Sequence, residues 1–141
     1  MTTTTTIKSK YDYNLVFQYL EKKGKERFGN NFKIHIDDHR IINMLAAYFL
    51  QDEVKCEQYE IDLHKGIMLT GPIGCGKTTL MHLMKFISIE QKRFRIKTSR
   101  DISFEFIKDG FDVIHKYSRG DLYKSDSHAY CFDDLGAENN I

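Results

Sequence analysis

The sequence of 141 residues lacks the features that define several classes of protein. Its three cysteines, Cys56, Cys75 and Cys131, are widely spaced and none belongs to a C-x-x-C pair, which argues against a zinc ribbon and against a disulfide framework. Reduced thiols are the simpler expectation. The formal net charge of +1 predicts neither a strongly basic nucleic-acid binder nor an acidic tail.

Long apolar runs are missing as well. The longest mostly apolar run, Ile41–Leu50, contains Asn43 and is far shorter than the roughly 20 residues that a membrane span needs. The polar residues Met1–Thr6 are not followed by an apolar stretch, so no secretory signal is indicated. We therefore expect a cytoplasmic protein without a membrane partner.

What the chain does have is a length typical of one domain and enough apolar side chains for a core, since 41% of its residues are hydrophobic. Two kinds of pattern divide it. We expect residues 1–10 to form a disordered Thr-rich tail, residues 11–60 a helical N-terminal segment, and residues 61–141 a part of α/β type.

The helical segment is indicated by apolar residues at spacings of three and four. One such series begins at Tyr13 and ends near Gly24 or Gly29, and a second helix over Ile41–Phe49 is expected to be capped by Asp37 or Asp38. The mostly acidic stretch that follows, 52–62, predicts a solvated connection.

From residue 66 the pattern is βαβαβ, which favours a parallel sheet with crossover helices. The strand candidates are Gly66–Thr70, Phe94–Thr98 and Ala129–Phe132. The helices are expected over Lys77 to about Gln91, and from an Asp101 cap to about Ser118. The fold class predicted is therefore α/β, preceded by helices.

A glycine-rich motif stands between the first strand candidate and the first of these helices. Residues Gly71–Thr78 read GPIGCGKT, which fits G-x-x-x-x-G-K-[ST] at every fixed position, and we call them the glycine loop. Such a turn can curve backbone N–H groups around a phosphate, and the next helix points its positive end at the same anion. The candidate nucleotide-binding residues are Gly71, Pro72, Ile73, Gly74, Cys75, Gly76, Lys77, Thr78 and Thr79.

Two side chains of the glycine loop have predicted roles in binding ATP with Mg²⁺. Lys77 would place its charge beside the β and γ phosphates and serve as a catalytic residue, and the Thr78 hydroxyl would ligate Mg²⁺. The alternative is a chance match in a loop, which the neighbouring strand and helix candidates make less plausible. Cys75, at a variable position, is either a small filler or an oxidisable switch.

A second motif, AYCFDDLGAE, occupies residues 129–138. A buried strand that ends in a carboxylate can deliver Asp133 to the sheet edge, where it can hold the Mg²⁺ that Thr78 also binds. Asp134 beside it is the candidate catalytic residue that polarises an attacking water. The alternative is a strand that ends in an acidic turn, which is common.

Together the two motifs resemble the AAA+ ATPases, and more closely the bacterial helicase loaders and transposition-helper ATPases of the DnaC/IstB type, where D-D-L-G is a familiar ending of the Walker B strand. The resemblance covers roughly residues 60–138. It implies that Gly71–Thr78 is Walker A, that Asp133 is the Mg²⁺ aspartate, and that Asp134 stands where most relatives have a catalytic glutamate.

The resemblance also implies a P-loop NTPase sheet in the strand order 5-1-4-3-2, here incomplete at the C-terminus. The chain has candidates for strands 1, 2 and 3 and ends seven residues after Asp134, before any strand 4, sensor residue, arginine finger or lid. We expect an ATPase in the full-length protein and binding with little or no turnover in this chain. The resemblance implies DNA or a replicative helicase as partners and a homo-oligomer in the full-length form.

Two other functions stay open. One is a small P-loop kinase or phosphotransferase, which would need an acceptor site and a lid, and which the D-D-L-G ending disfavours mildly. The other is a non-catalytic remnant that binds nucleotide without hydrolysis.

Two weaker signals have simpler explanations. The stretch Lys85–Arg100 has a local net charge of +5, from six basic residues and Glu90. It could contact DNA, but a solvated helix end and strand rim is the commoner origin of such a cluster. His35 and His39 have a metal-like spacing but straddle a predicted helix start without a third ligand.

Overall fold

The structure is a computed structural model that describes residues 8–119 and 129–136. It is of mixed α/β type, which confirms the predicted class at that level. The chain divides into two compact units, Met1–Lys92 and Arg93–Ile141, and each is described by itself. In the described part of the chain, no helix has the length and apolarity needed to cross a membrane.

In its described part, the first unit contains helices and connecting segments but no strand. Asp12 begins its first helix, because the Asp12 carboxylate accepts hydrogen bonds from the backbone N–H groups of Asn14 and Leu15. The elements are α1 Tyr13–Phe28, a 3₁₀ turn Ile36–Asp38, α2 His39–Phe49, α3 Glu53–Gln58, α4 Lys77–Met84 and a second 3₁₀ turn Glu90–Lys92. The helical N-terminal pattern predicted α1, which ends before Gly29 and not at Gly24, and α2. Asp38 stands at the N-cap position of α2, but its side chain makes no capping hydrogen bond there.

The core of this unit lies around α2. Ile42 of α2, Leu20 of α1, and Leu83 and Met84 of α4 are among the most completely buried side chains. Burial of one such side chain contributes roughly 1.5–3 kcal/mol of transfer free energy. Because α2 packs on α4, this core fixes the helix that follows the glycine loop.

The predicted solvated connection at 52–62 is wrong, because it contains α3 and a buried carboxylate. Asp52 is only 3% exposed. It accepts hydrogen bonds from the Ser9 hydroxyl, from the Tyr13 hydroxyl at 3.0 Å and from the Lys55 N–H at 3.2 Å. Burial acts to raise the pKa of the Asp52 carboxyl, but these hydrogen bonds outweigh it and keep that pKa below its ordinary value.

The second unit contains the sheet. Strands β1 Phe94–Thr98 and β2 Ala129–Asp133 pair in parallel, with Phe94 opposite Ala129 and Thr98 opposite Asp133. Both strands were predicted. The prediction that the strand at 129–132 is buried is wrong, because Ala129 and Phe132 are exposed and Tyr130 and Cys131 are only half-buried. The polar loop expected between 120 and 128, and residues 1–7 of the expected Thr-rich tail, lie outside the described residues.

The single helix predicted from Asp101 to about Ser118 is two helices, α5 Ser99–Asp109 and α6 Asp112–Arg119. The cap is Thr98, whose hydroxyl accepts from the Asp101 N–H at 3.1 Å, and not Asp101 itself. Gly110 separates the helices, because its φ of 64° leaves the helical region.

Two further predicted elements differ from the structure. The helix that begins at Lys77 ends at Met84 and not near Gln91. Just after its end, the Ser88 N–H and the Ser88 hydroxyl both donate to the Met84 carbonyl oxygen. Gly66–Thr70 is not a strand. A strand exists only where a neighbour completes its hydrogen-bond ladder, and in the described residues the one ladder is that between β1 and β2.

Candidate functional site

The glycine loop joins the segment 66–70 to the first turn of α4. Gly74 has φ 80° and Gly76 has φ 86°, a left-handed conformation that side chains other than glycine adopt only at a cost. Gly76 is the N-cap of α4, and its carbonyl oxygen accepts from the Leu80 N–H at 2.9 Å. The two glycines therefore turn the chain sharply into the helix.

Lys77, the first residue of α4, lies over this turn. Its Nζ donates to the carbonyl oxygens of Gly71 at 2.9 Å and Pro72 at 2.7 Å, and it lies 3.6 Å from the Cys75 sulfur. The ammonium group is thus held at the mouth of the loop by backbone carbonyls. An anion that enters there would meet a full positive charge beside backbone N–H groups.

The beginning of α4 adds a partial positive charge at the same place. Lys77, Thr78 and Thr79 form its first turn, where backbone N–H groups have no partner within the helix itself. Thr78 is exposed and Thr79 is half-buried. The nine residues predicted to bind nucleotide, from Gly71 to Thr79, are consecutive in the chain, and each is exposed or half-buried.

This surface is open on one side and anchored on the other. Ile73, at the tip of the loop, is fully exposed. Met81, Leu83 and Met84, one to two turns further along α4, are buried. Arg27 of α1 also reaches α4, with its Nη2 3.1 Å from Nδ1 of His82. The helix is fixed while the loop remains accessible.

The two carboxylates of the second motif lie at the end of β2. The Asp133 carbonyl oxygen accepts from the Ser99 hydroxyl at 3.2 Å, and Asp133 Oδ1 accepts from the Asp134 N–H at 3.1 Å. Asp134 is exposed and has φ 54°, so the chain turns sharply after the strand. Burial first, and the Asp133 charge second, raise the pKa of the Cys131 thiol.

A cavity of about 450 Å³ lies beside this turn, between α5, α6 and the residues after β2. Its lining is almost entirely apolar and includes Ile102, Phe106, Val113 and Leu135. Such a lining offers few hydrogen-bond partners for a phosphate group.

The predicted site residues thus fall into two groups. The nine residues of the loop and first helical turn lie in Met1–Lys92, whereas Asp133 and Asp134 lie in Arg93–Ile141. Among residues 8–119 and 129–136, no group of three or more His, Cys, Asp and Glu could hold a metal ion. His39, half of the weak metal candidate, instead packs its ring on Phe17 at 4.4 Å between centroids.

The contacts that hold the chain at Leu63 and Lys65, ahead of the loop, were not predicted from the sequence. The Tyr48 hydroxyl donates to the Lys65 carbonyl oxygen at 2.8 Å, and Lys92 Nζ donates to the Leu63 carbonyl oxygen at 2.7 Å. The signal available in the sequence was a tyrosine on an otherwise apolar helix face, since a buried tyrosine hydroxyl needs a partner. Which partner it finds was not encoded in any local pattern.

Comparisons with protein-family models, with curated proteins and with solved structures find no match to this chain.

Proposed function

We propose that the chain is the ATP-binding module of a P-loop ATPase similar to the AAA+ helicase loaders and transposition-helper ATPases of the DnaC/IstB type. The observation that carries the proposal is the glycine loop. Its motif leads directly into α4, with Gly74 and Gly76 in left-handed conformations and the Lys77 ammonium group turned over the loop. This is the arrangement of donors and charge that a polyphosphate needs.

In this proposal Lys77 exchanges partners when nucleotide binds. Its two hydrogen bonds to the Gly71 and Pro72 carbonyl oxygens would be replaced by bonds to phosphate oxygens, in which the acceptor as well as the donor is charged. The N–H groups at the start of α4 would bind the same phosphates. Phosphate recognition then depends on the backbone and on one lysine.

We propose Mg²⁺ as the metal that accompanies the nucleotide. The Thr78 hydroxyl in the first unit and the Asp133 carboxylate in the second are each a hard oxygen donor of the kind that Mg²⁺ takes with nucleotide phosphates. When bound, the ion would neutralise charge on the phosphates. Asp134, exposed next to Asp133, would then orient the attacking water in the hydrolytic form of the protein.

The sheet supports the same reading of the second unit. In the strand order 5-1-4-3-2, strands 2 and 3 are parallel neighbours. β1 and β2 are parallel neighbours too, with two helices between them in sequence and an aspartate at the end of β2. We propose that they correspond to strands 2 and 3, and that the protein assembles as a homo-oligomer on DNA or on a replicative helicase.

Binding without hydrolysis is the second candidate function. The specific observation in its favour is that Gly66–Thr70, the expected strand 1, does not pair with any strand in the described part of the chain. Strand 1 is the element that would join the glycine loop to the sheet carrying Asp133. Release of phosphate from ATP without an added acceptor would favour the ATPase over both this candidate and a phosphotransferase.

The test is a thermal melt of the 141-residue chain with and without Mg²⁺-ATP, in the wild type, Lys77→Ala and Lys85→Ala. Lys85 is an exposed lysine just past the end of α4 and serves as the matched control. At a hundredfold excess of ligand over Kd, binding stabilises by about 2.7 kcal/mol.

We expect nucleotide to raise the Tm of the wild type and of Lys85→Ala, and to leave that of Lys77→Ala unchanged. An equal rise in all three proteins would show that nucleotide binds elsewhere. No rise in any of them would contradict the proposed function.

A further inference from the structure

We propose that Tyr48 and Lys92 are positioning residues for the glycine loop. They hold the chain at Leu63 and Lys65, ahead of the segment 66–70 that leads into the loop, and thereby set the affinity of the loop for nucleotide without touching the nucleotide. The inference rests on the proposed function, because it concerns the affinity of the same loop. It also assigns a role to α2, which lies in a part of the sequence that carries no motif.

The segment that these two residues hold is a tight turn. Asp62 Oδ1 accepts from the His64 N–H at 2.8 Å, and the Lys65 N–H reaches the Asp62 carbonyl oxygen at 3.3 Å. The outward carbonyl groups of Leu63 and Lys65 are the ones bound by Lys92 and Tyr48. The turn is therefore stabilised by its own hydrogen bonds and by two hydrogen bonds donated from outside it, by Tyr48 and Lys92.

Tyr48 and Lys92 also hold each other. Lys92 Nζ lies 4.2 Å from the centroid of the Tyr48 ring, a cation–π distance. Tyr48 is 8% exposed and meets the ring of Phe49 edge-on at 5.1 Å. Burial and these contacts hold the ring in place, with its hydroxyl directed at the Lys65 carbonyl oxygen.

Helix α2 in this way holds the chain on both sides of the segment 66–76, which contains most of the loop. Before this segment, Tyr48 of α2 binds the turn; after it, α4 packs on α2 through its buried side chains. The Ile89 N–H further ties the chain beyond α4 to the carbonyl oxygen of Phe49 at 3.1 Å. A segment held on both sides has fewer conformations to lose when it closes on a ligand, which strengthens binding.

The hydroxyl group of Tyr48 is separable from its role in the core. A phenylalanine at position 48 would fill the same apolar space on α2 and keep the Lys92 contact with the ring. Only the hydrogen bond to Lys65 would be lost. Tyr11 offers a matched control, because its hydroxyl donates to the Leu50 carbonyl oxygen at 3.2 Å in the same unit but away from the turn.

The experiment compares the wild type, Tyr48→Phe and Tyr11→Phe in the full chain. Two quantities are measured: the Kd for Mg²⁺-ATP, and the amide hydrogen exchange of residues 63–76 without nucleotide. We expect Tyr48→Phe to bind about fivefold more weakly, the effect of one lost hydrogen bond. Its exchange over residues 63–70 should be faster, and Tyr11→Phe should match the wild type in both measurements.

A second pair of variants tests the other anchor. Lys92→Met should weaken binding to a similar degree, and Lys92→Arg should restore it, because arginine keeps both the donor and the cation over the ring. A purely structural role would lower the Tm of Tyr48→Phe and Tyr11→Phe alike and would not separate their Kd values.

The failures are distinguishable. If the wild type binds Mg²⁺-ATP and Tyr48→Phe binds equally well, with unchanged exchange at 63–70, the positioning role is overturned and the proposed function stands. If the wild type does not bind Mg²⁺-ATP, the proposed function is contradicted, and so is the proposed role of Tyr48 and Lys92 in nucleotide binding.

Discussion

At the scale of single residues, the candidate site depends on backbone conformation more than on side-chain chemistry. Gly74 and Gly76 turn the chain through left-handed conformations, and Lys77 bonds to the carbonyl oxygens of Gly71 and Pro72. The spacing of the motif predicted these residues because glycine adopts the left-handed conformation of the turn without a steric clash. It could not predict Tyr48 or Lys92, because their partners are backbone carbonyl groups, which every residue has.

A substitution of Gly76 tests the left-handed turn. With φ at 86°, Gly76→Ala places a Cβ in a conformation that costs about 1–2 kcal/mol. We expect the free energy of unfolding in urea to fall by that amount, and the Kd for Mg²⁺-ATP to rise as the loop changes shape.

Gly66→Ala is the control, because an added Cβ there would meet nothing within 4 Å and the backbone φ is ordinary. Its unfolding free energy should stay within about 0.5 kcal/mol of the wild type. Equal effects of the two substitutions would contradict a special conformation at Gly76.

At the scale of elements, one carboxylate ties together the strand and helices of the second unit. Glu105 of α5 bonds to Lys97 of β1 at 3.2 Å, to Lys116 of α6 at 3.0 Å and to the Tyr117 hydroxyl at 2.9 Å. Tyr117 in turn packs edge-on against Tyr130 of β2, 4.9 Å between centroids. Burial works to raise the pKa of Glu105, but the bonds from Lys116, Tyr117 and Lys97 outweigh it and lower that pKa to about 2.

The lowered pKa of Glu105 predicts a pH dependence of stability. A carboxyl whose pKa falls on folding contributes stability that is complete above its unfolded value, 4.5, and is lost as pH falls through the folded value. We expect Glu105→Gln to be less stable than the wild type at pH 7, by roughly 1 kcal/mol given partial exposure.

The difference between the two proteins should shrink as pH falls from 4.5 towards 2, measured by thermal melts across that range. Glu57→Gln, an exposed glutamate in α3, is the control. A constant difference between Glu105→Gln and the wild type down to pH 2 would contradict the account.

The elements themselves were predictable where local chemistry decides them. The periodic apolar series gave α1 and α2, and the short alternating or apolar runs gave β1 and β2. The failures have identifiable physical causes. The apolar spacing predicted one helix where Gly110 separates two. The stretch 52–62 was predicted to be solvated, but Asp52 is buried because hydroxyl groups distant in sequence hydrogen-bond to it. Residues 66–70 were predicted to be a strand, but a strand requires a neighbouring strand to pair with.

At the scale of the whole molecule, the two halves of the proposed site belong to different units. The glycine loop lies in Met1–Lys92, braced by α2, and Asp133 and Asp134 lie in Arg93–Ile141 at the end of β2. The proposed phosphate binding rests on residues of the first unit, whereas the proposed roles of Asp133 and Asp134 rest on the second. The proposed binding can therefore be tested apart from the proposed turnover.

The most direct measurement is a calorimetric titration of the 141-residue chain with ATP and ADP in the presence of Mg²⁺, and with AMP. If the glycine loop carries the affinity through the β and γ phosphates, ATP and ADP should bind and AMP should bind at least about a hundredfold more weakly, because it lacks those charge-assisted contacts. Equal affinity for AMP and ATP, or no heat of binding with any of the three, would contradict the account.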